Sequence, residues 1–289
     1  MLRRSAISLL LGACCGFEAE ASVRLDDLLP PARGSAVLLD IRTRRLIATN
    51  SQRLAGGALT LPGSTLKPFV IASLLQRGKL RPDASYPCPG HLTIANRRFD
   101  CTHPVLAMPV RPDTALAYSC NCFVAHAAER FDPGELSNEL QRYGLASRTG
   151  LIAGPEATGT VAFATTLDAV RMQALGEAGV LVTPLGLALA YRNLALELGT
   201  PEMLPVINGL EGAVEFGTAQ RARIHGITVA GKTGSTRSPS GDFIAWFVGF
   251  LPARAPELVV AVMLNGHSGG ADAAPVAARI LEAHGAGRL

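Results

Sequence analysis

Hydrophobic and polar positions change rhythm along the chain. Residues 35–41 (SAVLLDI) and 45–50 (RLIATN) are short apolar-rich runs parted by the polar Arg42-Thr43-Arg44. That pattern predicts two strands joined by a turn. Toward the other end, residues 227–230, 243–250 and 257–264 read as three more strands, separated by Gly/Ser- and Pro-containing turns. Residues 273–284 then repeat apolar side chains at helical spacing and predict a closing amphipathic helix. The stretch between, from about Pro62 to Gly226, is helical in character. Asp132-Pro133 offers an N-cap and a proline for a first turn, Gly144 a stop, and residues 185–198 form a long apolar-periodic segment.

Strands at both ends with helices between them imply an α+β fold. The expected architecture is a mostly antiparallel sheet of about five strands built from both chain ends, with a helical subdomain inserted between. Residues 34–61 and 227–289 form the sheet part and 62–226 the helical part. A cleft between the two is the natural place for a site.

Composition narrows the class. Of 289 residues, 48% are hydrophobic and only 17% charged, which supports a sizeable core and excludes a disordered chain. The net charge of +4 is scattered apart from short basic clusters at 42–45 and 221–223, and aromatics are 5%. A nucleic-acid partner would want a basic stripe with interleaved aromatics, so none is expected. A mildly basic surface does suit an anionic wall or membrane.

The first residues read as an address. Arg3 and Arg4 precede an uncharged, largely apolar run over 5–17, shorter than the ~18 residues of a membrane span, and Ala19-Glu20-Ala21 supplies a cleavage site. The expectation is a signal peptide over 1–21, followed by one domain over 22–289. The alternative is a lipoprotein signal ending before Cys14, with Leu11-Gly12-Ala13-Cys14 leaving Cys14 lipidated. Both place the protein in the periplasm or cell envelope, the second with a lipid anchor at Cys14. Cys88, Cys101, Cys120 and Cys122 then meet an oxidising compartment. A Cys88–Cys101 disulfide is expected, with Cys101 pairing to Cys120 or Cys122, or four free thiols, as alternatives. Cys120-x-Cys122 is too short for a structural zinc pair and has no His-x-x-x-His companion, so no metal and no cofactor are expected.

Three short motifs carry chemistry. In Ser64-Thr65-Leu66-Lys67, the serine stands where an apolar helix begins after Pro62-Gly63, and the lysine lies one turn on, with Cβ atoms roughly 5–6 Å apart. A serine hydroxyl needs a base to become nucleophilic, and a lysine serves only if its pKa is lowered by burial or a second cation. Pro68 cannot donate to the Ser64 carbonyl, which implies a tight or irregular first turn. Ser119-Cys120-Asn121 can bring a proton-relaying hydroxyl and a backbone-holding amide into a cleft together. Lys232-Thr233-Gly234-Ser235-Thr236 offers a lysine, hydroxyls and a bare glycine on a strand edge, suited to an extended peptide and its carboxylate. Each alone is commonplace: a helix surface, a loop, a hairpin turn. The phosphate-loop pattern G-x-x-x-x-G-K-[ST] is absent.

Their order is what discriminates. S-x-x-K, then S-x-N, then K-T-G is the signature of the serine β-lactamase and penicillin-binding group. The chain resembles the class B penicillin-binding transpeptidases, particularly the elongation type. The resemblance runs from about Gly34 to Leu264, through residues 62–69 (PGSTLKPF), Cys88-Pro89-Gly90, Cys101, residues 115–121 (ALAYSCN), Val182-Thr183-Pro184-Leu185, Gly217-Thr218-Ala219 and residues 230–235. It implies a D,D-transpeptidase acting on D-Ala-D-Ala stem peptides of peptidoglycan, inhibited by β-lactams, with a glycan polymerase or cell-wall assembly complex as partner. Ser64 would be acylated and Lys67 would deprotonate it. Ser119 would pass the proton to the leaving amine, and Asn121 would bind the substrate amide. Lys232 would keep Lys67 neutral and stabilise the bound carboxylate, which Thr233, Gly234, Ser235 and Thr236 would frame. The backbone N–H groups of Ser64 and Ser235 would form the oxyanion hole. The family usually has Thr at Ser235, and its members carry a large N-terminal region, whereas here about a dozen residues follow the signal before the first strand.

Related activities differ at stated residues. A class A β-lactamase would need E-x-x-L-N, which Glu135-Leu136-Ser137-Asn138 does not match, and Glu156 has no partner Asn. Class D enzymes place an apolar residue where Asn121 stands. A D,D-carboxypeptidase differs only in its acceptor, and a β-lactam sensor would be joined to a multi-span membrane module.

Overall fold

The computed structural model describes residues 23–30, 34–238 and 240–289; the expected signal segment and Cys14 lie outside the described residues. The strands are β1 (Gly34–Asp40), β2 (Leu46–Thr49), β3 (His91–Ile94), β4 (Arg97–Asp100), β5 (Thr160–Val161), β6 (Val180–Leu181), β7 (Ala230–Arg237), β8 (Phe243–Leu251) and β9 (Leu258–Asn265). The helices are α1 (Leu25–Leu28), α2 (Gln52–Gly57), α3 (Lys67–Gln76), α4 (Pro112–Ala117), α5 (Asn121–Ala128), α6 (Glu135–Arg142), α7 (Leu167–Ala174), α8 (Pro184–Glu197), α9 (Leu204–Glu215) and α10 (Ala274–Gly285).

The main sheet has five strands in the order β2-β1-β9-β8-β7, every neighbouring pair antiparallel. The α+β expectation therefore stands, with both chain ends in one sheet. β9 reads LVVAVMLN because it is covered on both faces, and strand alternation sends its side chains into two cores. Val259 and Ala261 join Trp246, Phe69 and Tyr191 on the side of the helical segment. Val260 and Val262 join Phe247, Ile280 and Leu281 under α10.

Several boundaries differ from the pattern-based reading. The strand expected at 227–230 instead runs Ala230–Arg237, so the K-T-G motif sits within an edge strand. Helix α6 begins at Glu135 rather than beside Asp132, because Gly134 adopts φ +78 and Glu135 N–H closes a turn on the Asp132 carbonyl. The hairpin of β3 and β4 falls inside the stretch read as helical. Its turn residues Ala95 and Asn96 both take positive φ, a hairpin geometry that Asn-Gly usually announces. Ala-Asn does not announce it.

Candidate active site

Each motif is held by a different element. Ser64 lies in a 3-10 turn, Gly63–Leu66, that leads into α3. Lys67 N–H donates to the Ser64 carbonyl, which takes the place of the bond Pro68 cannot make. The irregular first turn expected from Pro68 is thus present. Thr65 Oγ1 donates to the Pro62 carbonyl at 2.8 Å, and the buried Tyr191 hydroxyl donates to the Thr65 carbonyl at 2.7 Å. Trp246 Nε1 fastens the approach by donating to Leu61 O at 3.1 Å. The turn sits directly on β7: a Cβ on Gly234 would lie 2.8 Å from the Pro62 carbonyl oxygen, so only glycine permits this approach.

Ser119 stands between α4 and α5 with φ 59. A left-handed serine costs about 1 kcal/mol or more, and here it aims both its carbonyl and its hydroxyl at Lys67. Lys67 Nζ donates to Ser119 O at 2.7 Å, Ser119 Oγ at 3.1 Å and Asn121 Oδ1 at 2.6 Å, and none of these bonds goes to Ser64. Asn121 Nδ2 donates to the Asp100 carbonyl at 2.8 Å, which links the second motif to the β3–β4 hairpin.

Both motif lysines are fully buried. Burial lowers Lys67 to about 8, against an opposing pull from the nearby Cys120 and Cys101 sulfurs. Burial and then the charge of Lys67 push Lys232 well below the ordinary lysine value. Lys232 Nζ donates to the Thr233 carbonyl at 3.3 Å. Burial thus pulls both lysines toward the neutral form.

Ser64, Ser119, Asn121, Thr233 and Ser235 line one cavity of about 480 Å³, together with Phe99, Asp100, Thr102, Glu177, Thr218, His267, Ser268 and Gly270. Lys67, Lys232 and Gly234 lie buried behind these lining residues. Thr236 does not line the cavity. Alternation along β7 puts it on the face of Lys232 and Gly234, where its buried Oγ1 has no partner among the described residues. On the cavity side, Thr233 Oγ1 and Thr218 Oγ1 share a hydrogen bond at 2.7 Å, and Gly269 N–H donates to Ser235 Oγ at 3.0 Å. Thr218 lay in a segment carrying the resemblance but was given no role, and His267 and Glu177 had no motif to mark them. They arrive from three segments that only the fold brings together.

The cysteines gather beside the second motif. Their sulfurs lie 3.7 Å apart for Cys88–Cys101, 3.8 Å for Cys101–Cys120, and 3.5 Å for both Cys101–Cys122 and Cys88–Cys120. All four are free, and the Cys88 and Cys101 sulfurs, 3.7 Å apart, stand well beyond the ~2.05 Å of a disulfide, so the expected Cys88–Cys101 bond is absent. Hydrogen bonds from Cys120 and Cys122 hold the Cys101 thiol well below its usual range. The sulfurs of Cys88, Cys101 and Cys120 and a ring nitrogen of His103 lie within 4.8 Å of one another. His103 Nδ1 meets the Pro104 carbonyl at 2.8 Å, while Nε2 is buried without a partner among the described residues. Thiolates at ~2.3 Å around a tetrahedral ion stand about 3.8 Å apart, so this donor set could hold a soft divalent cation. Chain spacing had pointed to no metal, because the donors come from the segments flanking the β3–β4 hairpin and from the N-cap of α5.

Residues 34–282 match the model of the penicillin binding protein transpeptidase domain. The chain belongs to this family. It is 26% identical to the peptidoglycan D,D-transpeptidase FtsI of Escherichia coli over 303 residues, covering 86% of this chain and 50% of the relative. It is 30% identical to a probable peptidoglycan D,D-transpeptidase, PbpC of Pseudomonas aeruginosa, over 257 residues, covering 76% of this chain and 45% of that protein. The chain thus spans about half the length of these curated relatives. The fold is similar to that of Pseudomonas aeruginosa PBP2 solved with WCK 5153, with TM-score 0.79 and 22% identity over 90% of this chain and 75% of that one. It is also similar to the transpeptidase domain of Burkholderia pseudomallei penicillin-binding protein 3, with TM-score 0.76 and 22% identity over 87% of each chain. Among the described residues of this penicillin-binding transpeptidase domain, no helix is long and apolar enough to cross a membrane.

Proposed function

We propose that the chain is an exported peptidoglycan D,D-transpeptidase, with a catalytic domain over 22–289 behind a signal segment, working by a serine acyl-enzyme. The observation that carries this reading is the convergence of Ser64, Ser119, Asn121, Thr233 and Ser235 on one cavity with Lys67 buried against Ser119 and Asn121. A D-Ala-D-Ala stem peptide would lie extended along the edge strand β7, its terminal carboxylate met by Thr233 and Ser235 with Lys232 behind them. Lys67, after losing a proton, would take the Ser64 proton as the hydroxyl attacks the carbonyl. The C–N bond then breaks, and Ser119 would deliver a proton to the departing D-alanine. An acceptor amine would release the acyl group and restore Ser64. β-Lactams would be trapped as esters of Ser64. A glycan polymerase or wall-assembly complex is the fitting partner class; one similar structure is a PBP2 in complex with MreC from Helicobacter pylori.

The test is incubation with a D-Ala-D-Ala stem peptide and an amine acceptor, with mass spectrometry of the products and of the protein. Cross-linked product and an adduct on Ser64, both lost in Ser64→Ala, are expected. An adduct on another serine, or no acylation at all, would overturn the reading.

A further inference from the structure

The Ser64 cavity carries one sheltered anion. Of its carboxylate residues, Asp100 is turned to Arg98 at 2.8 Å, and both side chains are 62% exposed. The Glu177 side chain is only 15% exposed. Its backbone is fixed from two directions: Glu177 N–H donates to the Met172 carbonyl, and the preceding Gly176 accepts from Gly63 N–H at 3.0 Å. Gly176 rests so closely on the nucleophile's turn that a Cβ there would lie 2.1 Å from the Gly63 carbonyl oxygen. Glu177 is thus held one residue from a contact with the turn that bears Ser64. One of its oxygens, Oε2, takes Arg97 Nη2 at 2.6 Å, and that guanidinium also lies over the Phe99 ring at 4.6 Å. The other oxygen, Oε1, has no hydrogen-bond partner among the described residues.

The cavity is chemically two-sided. The β7 side carries the Thr233, Ser235 and Thr218 hydroxyls with Lys232 buried behind, which suits a carboxylate. The Glu177 side offers a free carboxylate oxygen, which suits a cation and disfavours a second anion. We propose that Glu177 is a specificity residue for the acceptor, binding the primary ammonium of the incoming amine and placing it beside the acyl ester. This rests on the acyl-transfer reading above. In the step itself the bound ammonium loses one proton to solvent and its nitrogen bonds to the acyl carbon. The ester C–Oγ bond breaks, and the nitrogen's second departing proton ends on Ser64 Oγ.

The experiment uses the full chain, an N-acyl-D-alanyl thioester as donor, and two acceptors at pH 7. Nα-acetyl-lysinamide presents a primary ammonium, and hydroxylamine is neutral. Aminolysis and hydrolysis drain the same acyl-enzyme, so their product ratio is independent of how fast it forms. Glu177→Gln is expected to lower that ratio about tenfold for Nα-acetyl-lysinamide and to leave it unchanged for hydroxylamine, with Glu177→Asp keeping part of the difference. An unchanged ratio with both acceptors, or an equal fall with both, would overturn the assignment. Absence of acyl-enzyme in the unsubstituted protein would overturn the acyl-transfer reading and this inference with it. A normal acyl-enzyme with an unaltered ratio in Glu177→Gln overturns this inference alone.

Discussion

Lys67 Nζ donates to Asn121 Oδ1 across 2.6 Å while also holding the Ser119 carbonyl and hydroxyl. One buried cation thereby joins the first motif to the second. Because burial lowers Lys67 to about 8, its base form grows as pH rises through that value. The second-order rate of acylation by a fluorescent penicillin should climb across about pH 7–9 and then level. Lys67→Arg should lose on the order of 10²–10⁴ in rate, since a guanidinium does not give up its proton. Stopped-flow labelling across pH checks both, and a normal rate in Lys67→Arg would remove the base role.

The same shift has a consequence for stability, and its sign can be worked out. In the unfolded chain Lys67 returns toward 10.5, whereas in the folded chain it titrates near 8. Between these values the unfolded state binds more protons, so unfolding free energy rises with pH across about 8 to 10.5. Below about 8 both states are protonated at this site and the slope vanishes. Urea unfolding at pH 8 and pH 10 should show this gain in the native chain and a smaller one in Lys67→Met. Equal pH slopes in the two proteins would contradict it.

Gly176→Ala should damage both stability and acylation. The new Cβ would meet the Gly63 carbonyl oxygen at 2.1 Å, and the residue sits at φ +70, where a side chain is strained. A loss of about 2–4 kcal/mol is expected, with penicillin labelling slowed more than tenfold by displacement of the Ser64 turn. Denaturant titration and labelling kinetics measure the two effects. Gly78→Ala is the control for positive φ alone, because nothing lies within 4 Å of its added Cβ.

The thiol cluster makes a separate prediction. Zinc added to the reduced protein should raise its melting temperature by several degrees and slow reaction of the clustered cysteines with a thiol reagent. A chelator should reverse both. Cys101→Ser should abolish the response, since Cys101 is the sulfur in contact with Cys88, Cys120 and Cys122. A metal response surviving in Cys101→Ser would place the ion elsewhere.

Much of this protein was legible in its residues taken one segment at a time. The strands at 35–41, 45–50, 243–250 and 257–264 announced themselves because a strand's burial repeats every second residue and covered strands read as apolar runs. Ser64, Lys67, Ser119, Asn121 and Lys232 could be singled out because their motifs are local in the chain and ordered along it. Pro68 even foretold the irregular turn, since the bond a proline cannot make is a property of the residue itself. What the tertiary structure alone decided is every meeting between segments distant in the chain. No spacing rule brings Glu177 to the Ser64 turn, sets Thr218 on Thr233, or gathers Cys88 and Cys101 beside Cys120 and Cys122. The same holds for protonation. That Lys67 and Lys232 are both pulled toward the neutral form follows from their complete burial, and burial is decided by packing. Periodicity reports which side chains leave water; the partners they find there depend on the whole chain's path.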